Sequence, residues 1–302
     1  KTKIPVILIG HKIFSGQSIY GSERIQLKGK YTRALNDIEK FSFFSRATLG
    51  AIKKVNWQPD IIHCHDWHTA SIPDYLKTVY KNDKFFKNTK TIYTIHNLAN
   101  QGIALPKIIG FSKLDPSLPI IKADLKNGDI NFMVQGILGA DLVTTVSPTY
   151  AKEILTHYEG AGLDNIIKKR EKDLYGILNG IDTDFFNQAK DNLIKKKYSA
   201  ASLNKKMANK LALQKQLGLP QDKNIALIGF VSRFVWQKGI ELITPEFSKL
   251  NCQFVFLGTG QPKYENHLKN LAKKYPKIFS AQIAFDEKLA HLIYAGAYIF
   301  LV

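Results

Sequence analysis

The chain has 302 residues, 45% of them hydrophobic, which is enough for one large or two ordinary folded domains with substantial cores. Lys and Arg total 43 against 25 Asp and Glu, a net charge of +18, but the excess is nearly all Lys scattered as in Lys53-Lys54 and Lys195 to Lys197, without the compact Arg-rich strip of a nucleic-acid binder. No apolar run reaches the roughly 18 residues of a membrane helix, and Cys64 and Cys252 are too far apart for a disulfide framework, so a soluble cytoplasmic protein is expected.

Short apolar runs bounded by turn residues predict strands over Ile4 to Ile9, Asp60 to Cys64, Thr91 to Ile95, Leu142 to Val146, Leu174 to Leu178, Ile225 to Val231, Gln253 to Leu257 and Ala281 to Phe285. Between most of them lie segments of helical period: Asp37 to Val55, Thr69 to Tyr80, Pro148 to His157, Ser202 to Leu217, Tyr264 to Tyr275 and Glu287 to Ala295. Ser147-Pro148 supplies a helix cap and a first-turn proline, and Asp286 caps the last helix. The alternation predicts an α/β protein with mostly parallel sheets and right-handed crossovers. Residues 187–201 lose the strand pattern, which places a domain boundary there. Lys1 in place of Met and an apolar run that stops at Val302 read as a chain cut at both ends.

The chemistry collects where strands end. Ile61-Ile62-His63-Cys64-His65-Asp66-Trp67-His68 leaves a strand for a helix, carrying Asp66, Trp67 and His68 to the carboxyl edge of the sheet. Alternation puts His63 and His65 on one face and Cys64 on the other, which disfavours a metal site. A ring, an acid and an imidazole suit sugar recognition; packed polar groups at a strand end are the bland alternative. His96 and Asn97 repeat the arrangement on the next βα turn, and Asn179-Gly180 marks a further turn. Arg233 and Lys238 follow the strand ending at Val231 and should point to the ligand crevice beside a new helix's amino terminus, a site for phosphate. Arg offers a planar fork and Lys a point charge, a pair suited to a diphosphate, and arginine is scarce here: Arg24, Arg33, Arg46, Arg170 and Arg233. Gly258-Thr259-Gly260 could bring amides to a phosphate but lacks the rest of a dinucleotide fingerprint. Phe285 reads as a base-stacking ring or as core.

Taken in order, His65-Asp66-Trp67-His68, His96 to Gly102, Val143 to Ala151, Gly176 to Asp182 and Ser232-Arg233 through Gln237-Lys238-Gly239 resemble bacterial glycogen synthase and plant starch synthase over almost the whole chain. The resemblance implies the GT-B type: two Rossmann-like domains, residues 1–190 on the acceptor side and residues 191–302 binding the nucleotide sugar, facing a central cleft and both incomplete. It implies retaining transfer of glucose from ADP-glucose to the non-reducing end of an α-1,4-glucan. The partners would be the nucleotide sugar and the glucan, with neither nucleic acid nor membrane, and no cofactor or metal. By this similarity Arg233 and Lys238 bind the diphosphate and His96 lies against the donor glucose. Asp66 with Trp67, His68, Asn97 and Asn179 belongs to the sugar side; Gly258 and Thr259 line the nucleotide pocket and Phe285 lies beside the adenine. Departures are Asn100 for Tyr, Gln188 for Pro, Ala284 for Gly and Tyr298 for Asp. A Lys-Thr-Gly-Gly-Leu loop and a Glu-rich motif expected beyond the last strand have no counterpart. On that account this stretch alone is expected to be inactive, a glucan- or nucleotide-binding fragment being the alternative function and another GT-B transferase the rival.

Overall fold

A computed structural model describes residues 4–14, 24–27, 30–33 and 35–302, leaving Lys1 to Lys3 outside. The chain forms two compact units, Lys1–Asn179 and Gly180–Val302.

In unit 1 an antiparallel hairpin, β1 (Arg24–Leu27) with β2 (Lys30–Arg33), leads to the long helix α1 (Leu35–Lys54). Ile38, Ser42, Ser45, Leu49 and Ile52 are buried along it, spaced four and three apart, so one stripe faces the core, and Asp37 is buried beside Ile38. Then come β3 (Ile61–His65), α2 (Ile72–Lys77), β4 (Lys90–Ile95), and the short pieces β5 (Ile103–Ala104), α3 (Ile108–Ser112), α4 (Pro119–Asp124) and β6 (Ile130–Asn131). The unit closes with α5 (Phe132–Gly139), β7 (Leu142–Thr145), α6 (Pro148–Glu153), α7 (Asp164–Lys168) and β8 (Leu174–Gly176). Strands β3, β4, β7 and β8 pair in that order as a parallel sheet.

Helix α5 is the centre of this unit. The Asn131 side chain caps it, its Oδ1 accepting from Met133 N at 3.0 Å and Val134 N at 3.4 Å. Gly136 lets Tyr93 of β4 lie against it, since a Cβ there would stand 2.4 Å from the ring. At the other end the Arg170 guanidinium donates to the carbonyls of Ile137 at 2.7 Å, Ala140 at 2.9 Å and Asp141 at 3.1 Å, satisfying groups that a helix end leaves open.

Unit 2 contains α8 (Lys206–Gln216), β9 (Ala226–Val231), β10 (Cys252–Gly258), α9 (Pro262–Lys274), β11 (Phe279–Ile283), α10 (Glu287–Gly296) and β12 (Ile299–Phe300). Its parallel sheet runs β11-β10-β9-β12. Strand β10 is buried on both faces: Phe254 and Phe256 join Tyr264, Leu268 and Leu271 of α9, whereas Val255 and Leu257 join Leu213, Leu289 and Ile293 of α8 and α10. The α/β class and the parallel sheets agree with the sequence pattern, and Ser147 and Asp286 cap α6 and α10 as expected.

Three expectations are corrected. Residues 4–9 form no strand, and Ile4, Val6 and Leu8 are exposed; an apolar run is a strand only when a neighbour takes its hydrogen bonds. The strand expected over Ala281 to Phe285 lies earlier, at Phe279–Ile283, because Ala284 and Phe285 turn the chain into the Asp286 cap. Residues 180–190 pack with unit 2, where Phe186 stacks on His291 at 5.2 Å and the neighbouring Asp191 meets the same imidazole at 2.7 Å.

Candidate functional site

The parallel register of β3 and β4 sets His65 opposite Thr94, so the residues leaving the two strands emerge side by side. Asp66 N donates to Thr94 O at 3.0 Å, and Asp66 Oδ1 accepts from His96 N at 2.9 Å. Asp66 holds φ 53°, a left-handed backbone that a non-glycine residue adopts only when its surroundings impose it. The strain sits where the chemistry was expected.

The imidazoles of His63, His65 and His96 follow one another. The His63 and His65 rings are 4.2 Å apart, and His65 Nδ1 lies 3.0 Å from His96 Nε2. Behind them His63 Nε2 meets Thr94 Oγ1 at 2.6 Å, which meets Thr144 Oγ1 at 2.5 Å. Burial lowers the pKa of His63 and of His65, and the neighbouring imidazoles lower both further, against a smaller opposing effect of Asp66 on His65. Cys64 points the other way and is fully buried, its thiol pushed up to about 12 by that burial. Among the described residues no group of three His, Cys, Asp or Glu has metal-binding geometry, and no helix is long and apolar enough to cross a membrane.

Trp67 is not a platform for a sugar. It is 1% exposed, with Phe41 edge-on at 5.1 Å and His68 stacked at 4.3 Å. Gly102, at φ +66°, closes over it; a Cβ there would stand 2.5 Å from the indole. The turn at Asp66 swings the indole inward, where its apolar area is worth more. His68 is half-buried in the same stack, and its carbonyl accepts from Ser45 Oγ at 3.1 Å.

Asn97 is exposed, and its Oδ1 accepts from Ala99 N at 2.8 Å, shaping the turn that begins at His96. Beyond it Gln101 ties three segments together: Oε1 accepts from Asn131 Nδ2 at 2.6 Å, Nε2 donates to Ala161 O at 2.9 Å, and its carbonyl accepts from Met133 N at 3.0 Å. A pocket of about 950 Å³ opens here, lined among others by Asn100, Gln101, Asp124, Asn131, Gly162 and Lys169. Sequence reasoning assigned none of these residues to the site, although Asn100 and Gln101 lie in the His96 to Gly102 motif. The signal for Asn131 was present, a capping residue directly before the apolar run Phe132-Met133-Val134. Asn179, the last residue of unit 1, is exposed.

In unit 2 the segment after β9 runs beside the end of β10. Ser232 N donates to Leu257 O at 3.1 Å, and Phe234 N to Thr259 O at 2.9 Å. Phe234 is fully buried, which leaves its neighbour Arg233 exposed; Lys238 is exposed too, and among the described residues neither side chain makes a hydrogen bond or an ion pair. The α-helix expected behind them is absent: Trp236–Lys238 and Ile240–Leu242 are single 3₁₀ turns separated by Gly239 at φ +63°, and Pro245 follows. No helix dipole reinforces the two cations there.

Gly258 and Gly260 have a structural reason. A Cβ would stand 1.8 Å from Ser232 O at the first and 2.1 Å from Phe234 O at the second. The amide of Gly260 donates to Glu265 Oε1 at 2.9 Å, so it is not open to a phosphate, which corrects the expectation for that half of the motif. Thr259 accepts from Phe234 through its carbonyl. Phe285 is 95% exposed, a ring with no place in the core.

A family model of the starch synthase catalytic domain matches residues 1–169. Glycogen synthase of Thermotoga maritima is 46% identical over 267 residues, covering 87% of this chain and 55% of the relative. That of Thermosipho melanesiensis is 41% identical over the whole chain, covering 61% of its own length. The catalytic domain of starch synthase IV from Arabidopsis thaliana, solved with ADP and acarbose, superposes with a TM-score of 0.81 at 35% identity, over 90% of this chain and 57% of that one. The chain thus spans little more than half the length of these relatives.

Proposed function

We propose a function from one premise: the chain belongs to the glycogen and starch synthase family of glycosyltransferases. The protein transfers glucose from ADP-glucose to the non-reducing end of an α-1,4-glucan, with retention of configuration.

The observation that carries this reading is the exposed pair Arg233 and Lys238, whose side chains have no partner among the described residues, on the loop that leaves β9 and anchored by the buried Phe234. Two fixed cations with no carboxylate of their own suit a diphosphate whose charge grows as the glycosidic bond breaks. Arg233 would clamp two phosphate oxygens and Lys238 would neutralise the leaving group, which can itself take the proton of the acceptor hydroxyl. With this charge supplied by side chains, transfer is expected to proceed without a divalent ion.

On the sugar side, His96 and Asp66 would hold the glucose, with the turn at Asn97 and Asn179 beside it. The large pocket bordered by Gln101 and Asn131 is where we place the acceptor glucan, its amide and carboxylate groups being matched to hydroxyls. In unit 2 the exposed Phe285 would stack on the base, and Gly258 and Thr259 would border the nucleotide. The reading carries a cytoplasmic location with it. The starch synthase IV structure with ADP and acarbose supports the nucleotide and the sugar class by analogy.

The test is an assay of the complete protein with ADP-glucose, UDP-glucose and maltooligosaccharides, following chain elongation with and without a chelator. Elongation with ADP-glucose that survives chelation is the expected result. No elongation with either donor would overturn the assignment, and dependence on a divalent ion would overturn the role of the cations.

A further inference from the structure

His96 is exposed, yet its ring is tied at one nitrogen. Nε2 lies 3.0 Å from His65 Nδ1, whereas Nδ1 has no partner among the described residues. A contact of that length between two neutral imidazoles holds one proton, on one nitrogen or the other. The tautomer that a free histidine prefers carries its proton on Nε2. Only one assignment lets both rings keep it: His96 Nε2–H donates, His65 Nδ1 accepts, and His96 Nδ1 is left bare.

We propose that His65 is a positioning residue, which by accepting the Nε2 proton of His96 holds that ring with Nδ1 bare and aimed as an acceptor for a sugar hydroxyl. The inference rests on the reading of unit 1 as the sugar-binding side and adds which atom of His96 does the binding and what sets it.

His65 is built to act as the fixed member of the pair. Its N–H donates to Thr69 Oγ1 at 2.7 Å, and its carbonyl accepts from the same hydroxyl at 3.0 Å. Its ring lies 4.2 Å from His63, which is pinned through Nε2 to Thr94 Oγ1 at 2.6 Å. The backbone of His96 is held by Asp66 Oδ1 at 2.9 Å, so ring rotation is the one freedom left for His65 to remove. Burial and the crowding of imidazoles keep His63 and His65 neutral near pH 7, the state in which His65 can accept. A protonated His65 would donate instead.

Long-range proton–nitrogen NMR spectra of the imidazoles in the complete protein read the tautomer directly, with His96→Gln assigning the signal. The expected pattern near neutral pH is a bare Nδ1 and a protonated Nε2 on His96. His65→Phe should turn this into a mixture of tautomers and raise KM for the donor about tenfold, as loss of one oriented hydrogen bond does, with ADP affinity unchanged. His65→Asn, whose Oδ1 stands near the position of Nδ1, should restore both. A proton on His96 Nδ1 in the unsubstituted protein, or a tautomer and KM that ignore His65→Phe, overturns the proposal. If His65→Phe does not fold, the unsubstituted protein and His65→Asn decide alone. If the protein transfers no glucose, the proposed function fails while the spectra still decide this point.

Discussion

The two candidate sites are built on opposite plans. At the ends of β3 and β4 nearly every polar group is engaged by another: Asp66 with the His96 amide, His65 with His96, His63 with Thr94 and Thr94 with Thr144. On the loop after β9, Arg233 and Lys238 are exposed, their side chains have no partner among the described residues, and the buried Phe234 with the backbone bonds beside β10 fixes the place of the loop. The first arrangement stores precision, because a satisfied network has one geometry; the second stores charge, because an unpaired cation keeps its full field for a ligand. Substitutions in unit 2 should therefore act on rate through charge, and substitutions in unit 1 through geometry and stability.

The largest effect that would sharpen this contrast is on turnover. Lys238→Ala should lower kcat roughly 10² to 10³-fold, the usual consequence of losing one preorganised transition-state contact. Arg233→Lys should also be costly, since the charge stays but the fork is lost. Steady-state kinetics of the complete protein check both, and near-normal turnover in either would break the comparison on its charged side.

A comparably large effect, in stability rather than rate, concerns buried carboxylates, and here too the units differ. In unit 2 Asp191 meets His291 at 2.7 Å, whereas in unit 1 Asp74 is 1% exposed and neither of its oxygens has a hydrogen-bond partner among the described residues. Burial pushes the Asp74 carboxyl up to about 7, against the opposing pull of Lys77. An unfolded aspartate loses its proton near pH 4, at about 3.9. As pH rises from there to about 7 the unfolded chain ionises first, so unit 1 loses stability across that window and the loss levels off above it. Asp74→Asn should remove that loss, raising stability at pH 8 by about 2 to 4 kcal/mol and by little at pH 4. Thermal melts at the two pH values check it; a variant equally stable to the parent at both would refute the shifted carboxyl.

A slightly smaller effect tests whether the unit 1 site depends on its packing. Gly102→Ala brings a methyl against Trp67 at a positive φ and should destabilise unit 1 by about 2 to 3 kcal/mol. Gly162→Ala, also at positive φ but with nothing within 4 Å of the new Cβ, should cost only about 1 kcal/mol. Denaturant titration separates them, and equal losses would mean that Trp67 is not held by that turn. The smallest effect belongs to Phe285: Phe285→Ala should weaken ADP binding roughly 3- to 10-fold by calorimetry without touching stability, because the ring is exposed. An unchanged affinity would remove it from the nucleotide site.

Much of the architecture was legible because strand and helix periods are local. The runs at Thr91 to Ile95 and Gln253 to Leu257 read as strands and are strands, and α1, α9 and α10 show their stripes in the sequence. Helix α5 was missed since it is buried on nearly every side, Gln135 included, and has no polar-apolar stripe to read, and α3, α4 and α7 were missed because they are five or six residues long. The run at Ile4 to Ile9 was misread for the converse reason: its composition suits a strand, but pairing is not a local property.

The sequence by itself determined the family, through a resemblance carried by five ordered motifs, and the α/β alternation with chemistry gathered where strands end, through periods of two and 3.6. Only the tertiary structure decided which strand ends are neighbours, and so that His65 meets His96 across 31 residues of chain. It also decided that Trp67 turns into the core while Phe285 stays in water, and that Glu265 takes the Gly260 amide. These outcomes depend on long-range pairing and on competition for buried volume, which are settled by the packed whole and leave no periodic trace in any one segment.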